Sequence, residues 1–279
     1  MTSEPVDPVP PGGRIVPFLK WAGGKRWLAN RSTQILPETY QRYLEPFLGS
    51  GAVFFRYAPK HAILSDVNGD LICTYQAIQD DWQRVQRYLD LHSRQHSDEY
   101  YYIVRDQRPR CQFRKAARFI YLNRTCWNGL YRVNQKGHFN VPRGTKDSVI
   151  LDTDNFAAIS ELLASVLIQE CDFEQTIDLA RRGDVLFVDP PYTVKHNLNG
   201  FVRYNEKIFS WEDQERLAAA IVRAANRGAY VTITNANHTS IKELYTDATS
   251  MLEINRSSVI SGQNHGRGGT SELLIKYGW

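Results

Sequence analysis

The sequence predicts an α/β protein: a doubly wound, mainly parallel sheet with an inserted, mainly helical region that carries a β-hairpin. Three features point to it. Short apolar runs alternate with helical patterns near both ends of the chain, and strands separated by crossover helices make a parallel sheet covered on both faces. Between residues 77 and 148 the alternation stops. That stretch also concentrates positive charge: from Arg105 to Lys146 there are eleven Lys and Arg against the single Asp106, so the window carries +10 in a chain whose net charge is +4.

Taken in order, "MTSEPVDPVPPGG" reads as a disordered, proline-rich tail over residues 1–13. It lacks the charged start and apolar core of a secretory signal. "FLKWAGGK" brings an aromatic ring, a tight Gly23-Gly24 turn and Lys25. "YLEPFLGSG" is a short strand running into a glycine turn, and "GAVFFRYAP" is a helix ending before Pro59. "AILSD" is a second strand closed by Asp66, and a helix begins at Asp70. Inside the insertion, "WQRVQRYLDLHS" and "FRKAARFIYLN" have helical apolar spacing. "GLYRVNQKGHFNVP" reads as a hairpin turning near Lys136-Gly137.

Strand–helix alternation then resumes. "NFAAISELLA" is helical, "VLIQECDF" a strand, "TIDLARRG" a short helix and "VLFVD" a strand. "SWEDQERLAAAIVRAANRG" is a helix with Ser210 as N-cap and Asp213 in the capping-box position. Leu217, Ile221, Val222 and Ala225 form its expected buried stripe, and Gly228 stops it. "AYVTITNA" and "SELLIKYGW" are strands. The division is therefore one α/β domain from 14–76 and 149–279, interrupted by a basic 77–148 insertion.

No run approaches the roughly 18 apolar residues of a membrane span, so no membrane partner is expected. Cys73, Cys111, Cys126 and Cys171 are scattered, without C-x-x-C or zinc-like spacing. A reducing, cytoplasmic setting and no metal are the simplest reading. The basic window is either a solvated face or a polyanion-binding surface. The interleaved Phe113, Phe119, Tyr121, Trp127, Tyr131 and Phe139 favour the second, because they supply stacking surfaces.

"DVLFVDPPYT" carries the chemistry. Two prolines cannot continue a sheet ladder and they fix the backbone. A carboxylate, a carbonyl and a ring are thus held at a strand's carboxyl end, where open α/β sheets bind ligands. Taken alone, this is also an ordinary strand exit. Gly49 and Gly51 follow another strand, where backbone can approach a ligand closely. Asp66 lies 17 residues beyond Gly49, a spacing suited to ribose hydroxyls. The full G-x-G-x-x-G fingerprint is absent, since Phe54 stands where its last glycine would be. An adenosine-containing ligand without a pyrophosphate fits better, and S-adenosylmethionine is one. Trp21 on its own reads equally as a core ring.

The ordered set "FLKWAGGK", "YLEPFLGSGAVFF", "LSDVNGDLI", "LNRTCWNGLYRVNQKGHFNVPRG", "VLFVDPPYT" and "SELLIKY" resembles the Dam-like family of DNA adenine-N6 methyltransferases over nearly all of residues 14–279. The motif order is similar to the family's alpha arrangement, in which the insertion recognises the target. The resemblance implies a methyltransferase-type fold, S-adenosylmethionine as cofactor and double-stranded DNA as partner. It implies that Trp21, Lys25, Phe47, Gly49, Asp66 and Asp189 contact the methyl donor. Asp189, Pro190, Pro191 and Tyr192 would hold the adenine, with Phe201 and Tyr204 packing beside it. Arg124, Asn128, Leu130, Arg132, Asn134 and Pro142 would lie on the DNA-contacting hairpin. This hairpin is close to that of relatives that methylate GATC. Departures from the family pattern are the N-terminal tail, Cys126-Trp127 and "SGQNHGRGG".

The chemistry is consistent with the residues. Adenine's amino lone pair is delocalised into the ring. Hydrogen bonds from N6 to an Asp189 oxygen and the Pro190 carbonyl would localise it toward the methyl group, a matter of positioning. A duplex hides N6, so the base must be flipped out. Arg132 suits a guanine edge, and Leu130 a thymine methyl. Because GATC is palindromic, a monomer suffices. A cognate restriction endonuclease is a possible partner. The alternatives are methyl transfer to RNA adenine or another planar amine, and a DNA-binding protein with a vestigial site.

Overall fold

A computed structural model describes residues 15–134, 136–195, 209–256 and 270–279. By compactness these fall into two units. One contains the described residues up to Ser32, Gly49–Lys60 and Asn68–Ile168. The other contains Thr33–Leu48, His61–Val67 and the described residues from Gln169 to Trp279.

The sheet has seven strands: β1 (Tyr43–Glu45), β2 (Ala62–Asp66), β3 (Leu167–Glu170), β4 (Val185–Val188), β5 (Tyr230–Ala236), β6 (Ser250–Arg256) and β7 (Thr270–Tyr277). Their order is β3-β2-β1-β4-β5-β7-β6. β1 pairs in parallel with β2 and β4, and β4 with β5. β7 runs antiparallel between β5 and β6. The order reverses direction between β1 and β4, the topological switch point at which such sheets bind ligands. All four residues of β4 are buried, as expected for a central strand covered on both faces.

The helices of the sheet unit follow the sequence closely, with corrections. The short helix covers Phe173–Asp178, not the later "TIDLARRG", because Asp172 caps it by accepting from the Glu174 N–H. The long helix covers Trp211–Asn226, with the Ser210/Asp213 capping box in place. Its buried stripe is Leu217, Ala218, Ala220, Ile221 and Ala224. Val222 and Ala225 are only half-buried, since the face turns toward the small residues that let the helix lie close on the sheet. With Leu44, Leu186, Val188, Val231, Ile233 and Leu273, this stripe builds the unit's apolar core.

The other unit is helical: α1 (Arg26–Ala29), α2 (Ala52–Tyr57), α3 (Gly69–Gln95), α4 (Asp98–Asp106), α5 (Gln112–Thr125) and α6 (Phe156–Leu163). The next helices in chain order are α7 (Phe173–Asp178), α8 (Trp211–Asn226) and α9 (Thr239–Leu244), all in the sheet unit. α3 runs across residue 77, where the sequence texture changes. It breaks at Asp81, whose backbone is non-helical and whose side chain caps the second half by accepting from the Arg84 N–H at 3.0 Å. Phe18 packs edge-on against Phe55, Tyr75 and Phe156, which binds the start of the chain and α2 into this unit. Among the described residues no helix is long and apolar enough to cross a membrane. No group of three or more His, Cys, Asp or Glu among them could hold a metal ion.

Candidate active site

In the sheet unit the chain leaves β4 at Asp189. The parallel register sets Val188 opposite Ile233, so the next residue of each strand, Asp189 and Thr234, come together. The Thr234 hydroxyl donates to Asp189 Oδ1 at 2.6 Å. Tyr192 is anchored across the sheet: its hydroxyl donates to Glu272 Oε2 at 2.7 Å. Glu272 is 6% exposed and sits on β7 opposite Ala236. Burial, then the charges of Asp189 and Glu272, hold the Tyr192 phenol well above its ordinary range, so it stays a neutral ring with its proton on the carboxylate side. Gln214 Nε2 donates to the Pro191 carbonyl at 3.2 Å and is itself held by Asn235. Among the described residues, no donor is bonded to the Pro190 carbonyl.

The switch point adds the loop after β1. Glu45 is buried and accepts from the Tyr43 hydroxyl at 2.8 Å. Phe47 stacks on Phe173 at 5.4 Å and meets Phe209 edge-on at 5.6 Å. Asp66 ends β2, its carbonyl accepting from the Cys171 N–H at 3.3 Å. Thus Asp189 to Tyr192 are brought together with Thr234, Gln214 and Glu272. None of those three was singled out from the sequence, although a glutamate inside the apolar "ELLI" strand was a signal of a buried polar role. Phe201 and Tyr204 lie outside the described residues.

The helical unit holds the "WAGGK" residues. The Gly24 N–H bonds the Trp21 carbonyl at 3.1 Å, closing the turn, and Gly23 takes φ +78°. Lys25 is 4% exposed, and its Nζ donates to the Gly23 carbonyl at 2.7 Å. At Gly49 (φ +48°) a Cβ would come within 2.7 Å of Trp21 Cδ1, so the indole lies directly on glycine backbone. The same ring stacks on Tyr131 at 5.9 Å and 22°. Tyr131 donates to Asp70 Oδ2 at 3.1 Å, and burial with that carboxylate pushes its phenol up.

One expectation fails here. Arg124 was assigned to DNA, but it is 2% exposed and bidentate to Asp154, with both N···O distances 2.6 Å. It also donates to the carbonyls of Phe18 and Val149. A guanidinium consumed in this way cannot reach a phosphate; Arg124 is a structural clamp. Arg143 is likewise engaged, by Asp98 and Asp147, so the basic window presents less free charge than its composition implies.

The hairpin residues stay exposed. Asn128 and Gly129 both take positive φ, which turns Trp127 and Leu130 outward at 52% and 40% exposure. An antiparallel bridge joins Val133 and Phe139. Asn134 Oδ1 closes the turn by accepting from the Lys136 and His138 N–H groups. Arg132 is fixed at Nε by Asn140 Oδ1 at 2.9 Å, while its terminal nitrogens have no partner among the described residues. Pro142 is exposed and its carbonyl accepts from the Trp127 N–H at 2.9 Å.

Residues 21–260 match the family described as D12 class N6 adenine-specific DNA methyltransferase. The Type II methyltransferase M1.LlaDCHI of Lactococcus lactis subsp. cremoris is 36% identical over 268 residues, covering 93% of this chain and 94% of the relative. The Type II methyltransferase M.MjaIII of Methanocaldococcus jannaschii is 36% identical, covering 80% and 84%. A DNA adenine methylase of Haemophilus influenzae is 30% identical, covering 94% and 93%.

Proposed function

The chain belongs to the D12 class of N6 adenine-specific DNA methyltransferases, and from that premise we propose that it methylates N6 of a flipped-out adenine within GATC in duplex DNA. Such an enzyme takes its methyl group from S-adenosylmethionine, whose sulfonium supplies an already activated methyl. The residues fit that donor. The Trp21 indole lies on the Gly49 backbone where no side chain could stand, so an aromatic ring and a bare glycine turn are held together in the segment assigned to the donor. Asp66, at the end of a strand, is suited to hydroxyls. Trp21, Lys25, Phe47, Gly49, Asp66 and Asp189 are assigned to the donor.

The observation that carries the reading is the anchored tip of β4. Thr234 orients the Asp189 carboxylate, and the Pro190 carbonyl has no donor among the described residues. Two acceptors set in rigid backbone would draw the N6 hydrogens and localise its lone pair. Tyr192, kept neutral against Glu272, offers its ring face to the purine. Water excluded from such a site would strengthen both bonds.

Residues 77–148 are assigned to target recognition. Arg132, held at Nε by Asn140 and without a partner for its terminal nitrogens among the described residues, suits bidentate contact with guanine O6 and N7, and Leu130 suits a thymine methyl. Asn128 and Pro142 flank them, and Asn134 sets the turn that presents them. A monomer meets this geometry on a palindrome. A cognate restriction endonuclease is the proposed protein partner.

Methylation-sensitive sequencing of DNA from cells expressing the wild type or Asp189→Ala tests the reading. Methyladenine in GATC is expected with the wild type alone. Losing a group that acts in the transition state costs about 10²–10³ in kcat. Methyladenine with both proteins, or with neither, would refute the assignment.

A further inference from the structure

The carboxamide of Asn123 makes three bonds at once. Its Oδ1 accepts the Lys20 N–H at 2.9 Å, and its Nδ2 donates to the Lys20 carbonyl at 2.8 Å. The same Nδ2 reaches the Gly129 carbonyl at 3.3 Å. Lys20 precedes Trp21 in the segment assigned to the methyl donor. Gly129 opens the hairpin assigned to DNA. One side chain therefore bonds the backbone of both.

Asn123 is 2% exposed. An amide there cannot exchange its protein partners for water, and leaving a group unpaired is costly. Two further contacts run beside the clamp. Gly129 has φ +66°, and a Cβ on it would meet Lys20 Cδ at 2.6 Å and Lys20 Cβ at 2.8 Å. Tyr131, two residues on, stacks on Trp21, while Phe119 packs on Tyr131 at 5.1 Å. A shift of Gly129–Tyr131 on meeting DNA therefore breaks these contacts or moves Lys20 and Trp21 with it.

We propose that Asn123 is a positioning residue that couples the two ligands, so that duplex binding strengthens donor binding and donor binding strengthens duplex binding. The proposal rests on the functional reading above and deepens it. Such coupling is reciprocal by thermodynamic necessity, with a typical size of ~5–150-fold. Arg124, which holds the Phe18 carbonyl, stiffens the same segment, but among the described residues its side chain makes no hydrogen bond to the hairpin, so it keeps the loop in place without transmitting.

The test is calorimetric titration of the full chain with S-adenosylhomocysteine, alone and saturated with a GATC duplex, and then with the order reversed. For the wild type, each ligand should tighten the other by ~5-fold or more, by the same factor in both directions. Asn123→Asp keeps the acceptor for the Lys20 N–H and loses both donated bonds. Asn123→Ala loses all three. Each variant should still bind either ligand, with the coupling factor fallen to about one. A merely structural role would lower the fraction of active protein or the Tm without changing the ratio of two dissociation constants. A wild-type factor of one, or a wild-type factor in either variant, overturns the proposal. Failure of the wild type to bind S-adenosylhomocysteine at all is a different signature, and would remove the functional reading along with the coupling. Should neither variant fold, hydrogen exchange on the wild type decides. S-adenosylhomocysteine alone should slow exchange of the Gly129–Asn134 amides, and unchanged exchange there refutes the coupling.

Discussion

Residues 189–192 and residues 128–142 are both loops, yet they are built in opposite ways. The first is pinned by three different elements: Thr234 on β5, Glu272 on β7 and Gln214 on α8 hold Asp189, Tyr192 and the Pro191 carbonyl. The second is joined by isolated bridges and a side-chain-closed turn, and it leaves Leu130 and Arg132 exposed. Reaction chemistry tolerates little displacement of the reacting groups. Sequence reading must instead adapt to a groove, and binding residues commonly sit on loops carried by a rigid scaffold. The first loop is therefore expected to set rate and the second to set preference.

The difference can be broken most strongly at the scaffold of the second loop. Arg124→Met removes one partner of a buried pair with Asp154 and should cost about 3–5 kcal/mol in stability, read as a lower urea midpoint. The salt dependence of DNA binding by the folded fraction should stay unchanged, because Arg124 neutralises no phosphate. A shallower salt slope would restore Arg124 to the DNA interface. Next comes Thr234→Val. A hydrogen bond to a charged group is worth about 1.5–3 kcal/mol, so kcat should fall about 10- to 100-fold with duplex affinity retained. An unchanged kcat would show that Asp189 needs no orienting hydroxyl.

The smallest effect at neutral pH is expected from His92→Gln in the helical unit. Burial, then the charge of Arg118, lowers the His92 imidazole to about 4. Its ring stacks on Tyr121 at 5.0 Å, and its Nδ1 lies 2.9 Å from the Tyr100 hydroxyl. The unfolded chain regains an ordinary value near ~6.5 and so binds the extra proton between those values. Stability should thus fall as pH drops from about 6.5 to about 4, with no contribution above. The variant should flatten that limb of the urea midpoint against pH. Parallel curves would assign the pH dependence elsewhere.

The sequence announced the first loop better than the second. Two prolines after an apolar run can end a strand in few ways, so Asp189 to Tyr192 were legible from local pattern. Their anchors were not, because Thr234 lies 45 residues and Glu272 80 residues away along the chain. In the insertion, Arg124 and Arg132 look alike in one motif. Only a partner 30 residues on, Asp154, makes the first a buried clamp. α4, α9 and β6 went unread for a similar reason. "DEYYYIVRD" is aromatic enough to pass for a strand, "TSIKEL" is short, and "SMLEINR" is an edge strand whose pairing with β7 is non-local.

The division of labour between the two loops is tested most directly by one ratio. Let kcat/KM be measured on a GATC duplex and on duplexes with one guanine replaced, for the wild type, Thr234→Val and Arg132→Ala. Thr234→Val should lower every value by the same factor and leave the ratio untouched. Arg132→Ala should lose about 1–3 kcal/mol of discrimination at the replaced guanine. A ratio that moves with Thr234→Val, or that survives Arg132→Ala, would contradict the assignment of rate to one loop and preference to the other.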